Sequence, residues 1–343
     1  MIEATRVALA LGKTRYDDLK GLCSLRAQIC LNLSRYESVE VSTDEVLIAN
    51  GSSQAIFQLF QCVLSSGDRV LVPSPAWQSY EQGVRSAGGI AVRYACAGSD
   101  PDLEELHALV RGGAKMLVIN SPHNPTGTVL SRRFMEGVVA LAAEHDLILL
   151  SDEAYHGLTY QGVESVSARS VRGSSEARII TSRTFSKAYS MAGYRVGYIY
   201  GPRDLIDRAS SLQAHVSDHV CTFSQYGALA AAQLPASFLS DRSSIVEDRM
   251  GVAYEAISSV FPCAMPQGGF YLFPDVRGVL GEQWRSSASI ARALKAHCGI
   301  SVLPGESFGS PGHLRISVAL SGRVLIARAM QSMTRYLEGK SSS

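Results

Sequence analysis

Lys187 stands in the stretch TFSKAYSMAGYRVGY (184–198), just past the apolar run RIIT (178–181) and among Thr184, Ser186, Ala188 and Ser190, with Arg195 further on. A lysine at the end of a core strand, among small side chains, is desolvated enough to lower its pKa and become a nucleophilic amine. The Arg195 guanidinium is a planar fork that suits a phosphate. Three other apolar runs end in polar groups of the same kind. VLIA (46–49) leads into Asn50, Gly51, Ser52, Ser53 and Gln54, where amides and two hydroxyls at a helix start make an anion site. MLVI (116–119) leads into NSPHNPTG (120–127), and LILL (147–150) into Ser151, Asp152, Glu153, Ala154 and Tyr155. A carboxylate such as Asp152, directly after a buried run, requires a cationic partner or hydrogen bonds. Each group also has a plain structural explanation taken alone: a serine or aspartate N-cap, an arginine–carboxylate pair, a solvated lysine.

The elements that must position these groups follow from the rhythm of the chain. VLIA, RVLV (69–72), MLVI, LILL, RIIT and VGYIY (196–200) alternate with longer helical patterns. That alternation predicts an α/β fold with a mostly parallel central sheet flanked by crossover helices, and the uniformly apolar runs suit strands covered on both faces. Ile56, Phe57, Phe60, Val63 and Leu64 are expected on one face of a helix, and Phe134, Val138, Leu141 and Ala142 on one face of another. Ligands of such sheets bind at the carboxyl ends of the strands, where the polar groups cluster. After about residue 240 the texture changes to helix, GGFYLF, helix, LRISVAL and helix, which predicts a smaller C-terminal α+β domain. The expected division is 1–240 and 241–343.

Composition narrows the partner. Lysine plus arginine (32) nearly balances aspartate plus glutamate (31) without blocks of like charge, so neither nucleic acid nor a membrane surface is an expected partner. The seven cysteines form no CxxC pair, which argues for a reducing, cytoplasmic setting and against a disulfide framework or a metal site. One small ligand reconciles the strand-end groups. Its phosphate would meet Ser52, Ser53, Thr184 and Arg195, its carbonyl would condense with Lys187, and its ring nitrogen would face Asp152. Pyridoxal 5'-phosphate has these parts, and a lysine Schiff base with an aspartate at the pyridinium nitrogen is its usual protein setting.

The ordered motifs NGSSQA, PxxxW around Trp77, NSPHNPTG, SDEAYHGLTY, TFSKAYSMAGYRVGY, GGFYLF, PGESFG and HLRISVAL resemble the class I/II aminotransferases, fold type I pyridoxal-phosphate enzymes of the aspartate aminotransferase kind. The resemblance runs from about Tyr16 to Ala329. It implies amino transfer between an L-amino acid and a 2-keto acid, with Lys187, Asp152 and Tyr155 catalytic. It further implies that Asn124 and Tyr155 bond the 3-oxygen of the cofactor, that Trp77 stacks on its ring, and that Tyr16 reaches the phosphate of the partner subunit in a homodimer. Arg315 is implied at the substrate α-carboxylate, with Asn124 beside it. Tyr271, His123 and His156 are read as packing or spacer residues.

Elimination, replacement or cyclisation of a modified amino acid would use the same groups and stays open from the motifs alone. A ligand-sensing regulator on the same fold would need a DNA-binding segment, which the sequence does not contain. Relatives usually carry an arm before the tyrosine equivalent to Tyr16, where this chain has only a short segment. A helical pattern of Leu19, Leu22, Leu25 and Ile29 is expected to lie at the dimer seam.

Overall fold

The computed structural model describes residues 1–96 and 98–341. From the amino end, helices α1 (Ile2–Ala10) and α2 (Cys23–Glu37) precede strand β1 (Val46–Ala49). The alternation then runs α3 (Ser52–Val63), β2 (Arg69–Ser74), α4 (Ser79–Ser86), β3 (Ile90–Ala95), α5 (Leu103–Arg111), β4 (Ala114–Asn120), α6 (Arg132–Glu144), β5 (Ile148–Asp152), β6 (Arg178–Thr184) and β7 (Gly197–Tyr200). These strands form one sheet in the order β1-β7-β6-β5-β4-β2-β3, in which β7 alone runs against the rest. Helices α7 (Arg203–Val216), α8 (Thr222–Ala232) and α9 (Ser237–Ser258) follow. The remainder holds β8 (Tyr271–Leu272), α10 (Ser287–Cys298), β9 (Leu303–Pro304), β10 (Leu314–Ser317) and α11 (Arg323–Ser341), with a three-stranded antiparallel sheet ordered β8-β10-β9. Residue 240 falls in the first turn of α9, and the two sheets lie on either side of it in sequence.

Strand side chains alternate between two cores, because successive residues point to opposite faces. Val70, Val72, Met116, Val118, Ile148, Leu150 and Ile180 pack with α3, α4 and α7. Leu71, Leu117, Ile119, Leu149 and Ile179 pack with α5 and α6. Both faces are buried, which is why these runs contain no polar alternation. Truncating a fully buried leucine such as Leu117 to alanine would cost about 2–5 kcal/mol.

Three details differ from expectation. Strand β3 escapes a search for continuous apolar runs, because it is an edge strand with half-exposed residues such as Ile90 and Arg93. Phe57 faces outward at 45% exposure, off the buried stripe of α3. Leu22, Leu25 and Ile29 are buried inside this chain against Val46, Ile48 and Phe185, so three of the four residues expected at a seam are core, while Leu19 precedes α2 and is 42% exposed.

Candidate active site

The strand register brings the polar run ends side by side. Asn120 pairs with Asp152 across β4 and β5, Asp152 with Ser182 across β5 and β6, and Thr184 with Gly197 across β6 and β7. Asn120 holds this edge in shape: its amide donates to the Asp152 carbonyl at 2.8 Å, and its Oδ1 accepts from the Asn124 backbone N–H at 2.8 Å.

Asp152 is buried. The Tyr80 hydroxyl donates to its Oδ2 at 2.5 Å, and the Ala154 backbone N–H donates to its Oδ1 at 3.1 Å. Burial pushes its pKa up to about 6, raised further by Glu153 and opposed by these hydrogen bonds and the Lys187 charge. Lys187 is displaced the other way. Its pKa is lowered chiefly by burial, then by the positive charges of Arg315 and Arg195, against the attraction of Asp152. Its Nζ lies 5.7 Å from the ring centres of both Tyr155 and Phe270. It also borders a cavity of about 280 Å³ lined by Ser186, Phe270, Arg249 and Ser317. A desolvated amine next to a buried carboxylate is equipped for condensation with a carbonyl and for proton transfer.

Arg315, on β10, comes from the smaller sheet and meets the larger one here. Its Nη1 donates to Asn124 Oδ1 at 2.9 Å, and its guanidinium lies 4.1 Å from the Tyr271 ring centre and 4.7 Å from that of Phe308. Its Nε is buried without a partner among the described residues, a donor position suited to a carboxylate. Tyr155 shares a 3.2 Å hydroxyl contact with Tyr271, and burial holds its own hydroxyl well above the usual pKa. Trp77 packs edge-on against Tyr80 at 5.4 Å.

At the other end, Gly51 adopts φ 81° at the start of α3, and a Cβ there would stand 2.5 Å from Arg195 Nη2. Arg195 itself is left-handed at φ 52° and donates to the carbonyls of Ala192 at 2.9 Å and Asn50 at 3.3 Å. Gly197 is closed in by backbone, since a Cβ there would meet the Ser52 nitrogen at 2.5 Å. The α3 amino terminus, with Ser52 and Ser53, thus lies beside the Arg195 guanidinium, and the Thr184 hydroxyl is held through Ser186 Oγ at 2.9 Å. Helix amides and a guanidinium together favour an anion.

Lys187 thus feels the charges of Asp152, Arg315 and Arg195 and stands by the Tyr155 ring, and Arg315 bonds Asn124, so the structure links these six residues in one cluster. Tyr16 does not join them in this chain: it is 83% exposed and meets the His219 ring edge-on at 5.7 Å. Tyr80, Phe308 and Asn120 were missed from sequence, and Tyr271 was set aside as packing. Tyr80 was detectable as the hydroxyl one helical turn beyond Trp77. Beneath the site, Arg183 donates to Glu153 Oε2 at 2.7 Å and to Glu37 through two 2.6 Å bonds. Burial lowers the pKa of His156, 3.5 Å from Glu37, while buried His123 bonds Thr126 at 2.8 Å with its pKa pushed down to about 4.

The family model for aminotransferase class I and II matches residues 2–332. An aspartate aminotransferase of Bacillus sp. (strain YM-2) is 32% identical over 345 residues, covering 98% of this chain and 88% of that protein. A probable aspartate/prephenate aminotransferase of Aquifex aeolicus is 34% identical over 331 residues, covering 94% and 84%. Among solved structures, the aspartate aminotransferase of Thermus thermophilus with maleate superposes with a TM-score of 0.90 at 32% identity, covering 97% of this chain and 86% of that one. The aromatic aminotransferase of Pyrococcus horikoshii OT3 gives 0.92 at 31%, covering 98% and 91%. With its motifs in order, its sheet topology and these similarities along nearly its whole length, this chain belongs to the class I and II aminotransferase family.

Proposed function

We propose that this aminotransferase works with pyridoxal 5'-phosphate, moving the amino group of an L-amino acid to a 2-keto acid, and that Lys187 is its reacting amine. The observation that carries the reading is the electrostatic coupling of Lys187, Asp152 and Arg315: a half-buried amine of lowered pKa that feels both a buried carboxylate and a guanidinium whose Nε has no partner among the described residues. The Gly51 cradle against Arg195 fits the phosphate, and the buried Asp152 fits a cationic ring nitrogen. When bound, the cofactor supplies a carbonyl for amines and an electron sink for the carbon that loses its proton.

The chain's own groups then have distinct tasks. Ser52, Ser53, Thr184 and Arg195 hold the phosphate; Asn124 and Tyr155 bond the ring oxygen; Trp77 covers the ring; Asp152 keeps the ring nitrogen protonated. Arg315 grips the α-carboxylate in bidentate fashion and so orients the Cα–H bond, with Asn124 fixing the guanidinium. Lys187 Nζ takes the Cα proton and returns it, as general base and then general acid. We read residues 1–240 as the lobe that holds the cofactor and 241–343 as the smaller lobe that brings Arg315, with Tyr16 completing the partner's phosphate site in a homodimer.

Aspartate is the first donor to test, because relatives that cover most of this chain are named for it. That all the relatives reported above are aminotransferases favours amino transfer over elimination, replacement or cyclisation. The experiment is to mix purified protein with aspartate, without a keto acid, and weigh the released cofactor. Aminated cofactor in stoichiometric amount, together with borohydride attachment of cofactor mass to the Lys187 peptide, is the expected result. Unchanged cofactor with every common amino acid, or attachment at another lysine, would overturn the reading.

A further inference from the structure

The helices α5 and α6, both crossovers on one face of the large sheet, run side by side in the same direction. They approach closely where Leu103 meets Gly137, at which a Cβ would stand only 2.6 Å from Leu103 Cδ1. About one turn further along α5 is His107, and about two turns further along α6 are Glu144 and its C-cap His145. One ligand atom from each of the three side chains lies within 4.8 Å of the others. Among the described residues the His107 ring has no hydrogen-bond or ion-pair partner, while the His145 Nε2 lies 3.7 Å from a Glu144 oxygen.

The carboxyl end of α6 is bordered by its C-cap His145 and by Arg172, which lines one depression with Glu144. The carbonyl end of a helix carries partial negative charge and is normally complemented by cations. The last turn of α6 contains no basic residue and ends instead in the carboxylate of Glu144. A carboxylate at a helix carbonyl end, faced by two imidazoles, is the arrangement a bound cation would complete.

We propose that His107, Glu144 and His145 bind a divalent transition-metal ion of the zinc, nickel and cobalt kind, clamping α5 to α6. Two imidazole nitrogens and one carboxylate oxygen select these ions over magnesium or calcium, which prefer all-oxygen shells, and water fills the remaining coordination positions. Glu144 and His145 precede the first residue of β5, whereas Asp152 is its last, so the ion sits at the opposite edge of the sheet from the reacting groups. Its role is to hold two helices together, and amino transfer proceeds without it. The expectation of no metal rested on cysteine spacing; the two histidines are far apart in sequence and meet only through the fold.

The test is calorimetric titration of nickel chloride into the whole chain after dialysis against a chelator, alongside thermal unfolding with and without the ion. One saturable site per chain and a rise in unfolding temperature are expected. His107→Gln and His145→Gln should each weaken binding at least about tenfold, since even loss of an outer-shell partner costs that much, and should abolish the thermal shift. Replacing the exposed Cys23 and Cys221 with serine should leave binding unchanged. No saturation by about 1 mM ion, binding that survives both histidine substitutions, or binding lost with the cysteines would overturn the proposal. If a histidine variant does not fold, cobalt added to the wild-type chain must broaden the ring resonances of His107 and His145 first; broadening of other histidines alone overturns it equally.

Discussion

The Tyr80 hydroxyl donates to Asp152 Oδ2 across 2.5 Å, inside a site where both side chains are buried. It is one of two hydrogen bonds that oppose the rise in the Asp152 pKa caused by burial. Tyr80→Phe keeps the ring and removes the donor. A hydrogen bond to a charged group contributes about 1.5–3 kcal/mol, so kcat/KM should fall roughly ten- to a hundredfold while the unfolding temperature changes little. Steady-state kinetics on the variant decide it; unchanged turnover would show that Asp152 does not rely on Tyr80.

Arg315→Lys keeps a positive charge but loses the fork and the stacking between Tyr271 and Phe308. The apparent affinity for amino acid should weaken by roughly tenfold or more, with cofactor retention intact. Competition with simple dicarboxylates, read from the cofactor absorption band, tests this. Equal affinities for variant and wild type would mean that the carboxylate is held elsewhere.

Glu37 is held down to a pKa of about 2 by the Arg183 and His156 charges and its bonds to Arg183, although burial alone would raise it. A depressed carboxylate stabilises the fold above its unfolded pKa, near 4.5, and that contribution disappears as pH falls toward 2. Glu37→Gln should therefore lose about 3 kcal/mol at pH 7, the cost of breaking a buried pair, with the gap to wild type closing in acid. Urea unfolding at a series of pH values measures it, and a gap independent of pH would argue against the pairing.

Tyr16→Phe should loosen the cofactor without changing the sedimentation of the protein if, as proposed, its hydroxyl reaches the phosphate of a neighbouring subunit. Dilution that dissociates the assembly should release cofactor and abolish activity together. A fully active monomer would remove Tyr16 from the site.

The large sheet was legible because its strands are buried on both faces and so read as unbroken apolar runs. The polar groups that follow four of those runs make up most of the candidate site, since a strand end is where a buried run must meet a ligand or water. What stayed hidden depends on three-dimensional approach. Strand β3 mixes exposed and buried residues as edges do, and Tyr80 contributes through a hydroxyl that sequence cannot aim. Asn124 and Arg315 meet although they are 191 residues apart. Leu22, Leu25 and Ile29, at the start of α2, had the helical period but are covered within the chain: periodicity reports that a face is covered, not by what.

Arg183 grips Glu153, the neighbour of Asp152, and Glu37 on α2, positions 146 residues apart along the chain in the latter case. A single exchange at Arg183 removes the guanidinium from buried Glu153 and half-buried Glu37, and one at Glu37 leaves that guanidinium half answered. The stability of the strand that carries Arg183 is therefore tied to a side chain at the far end of α2.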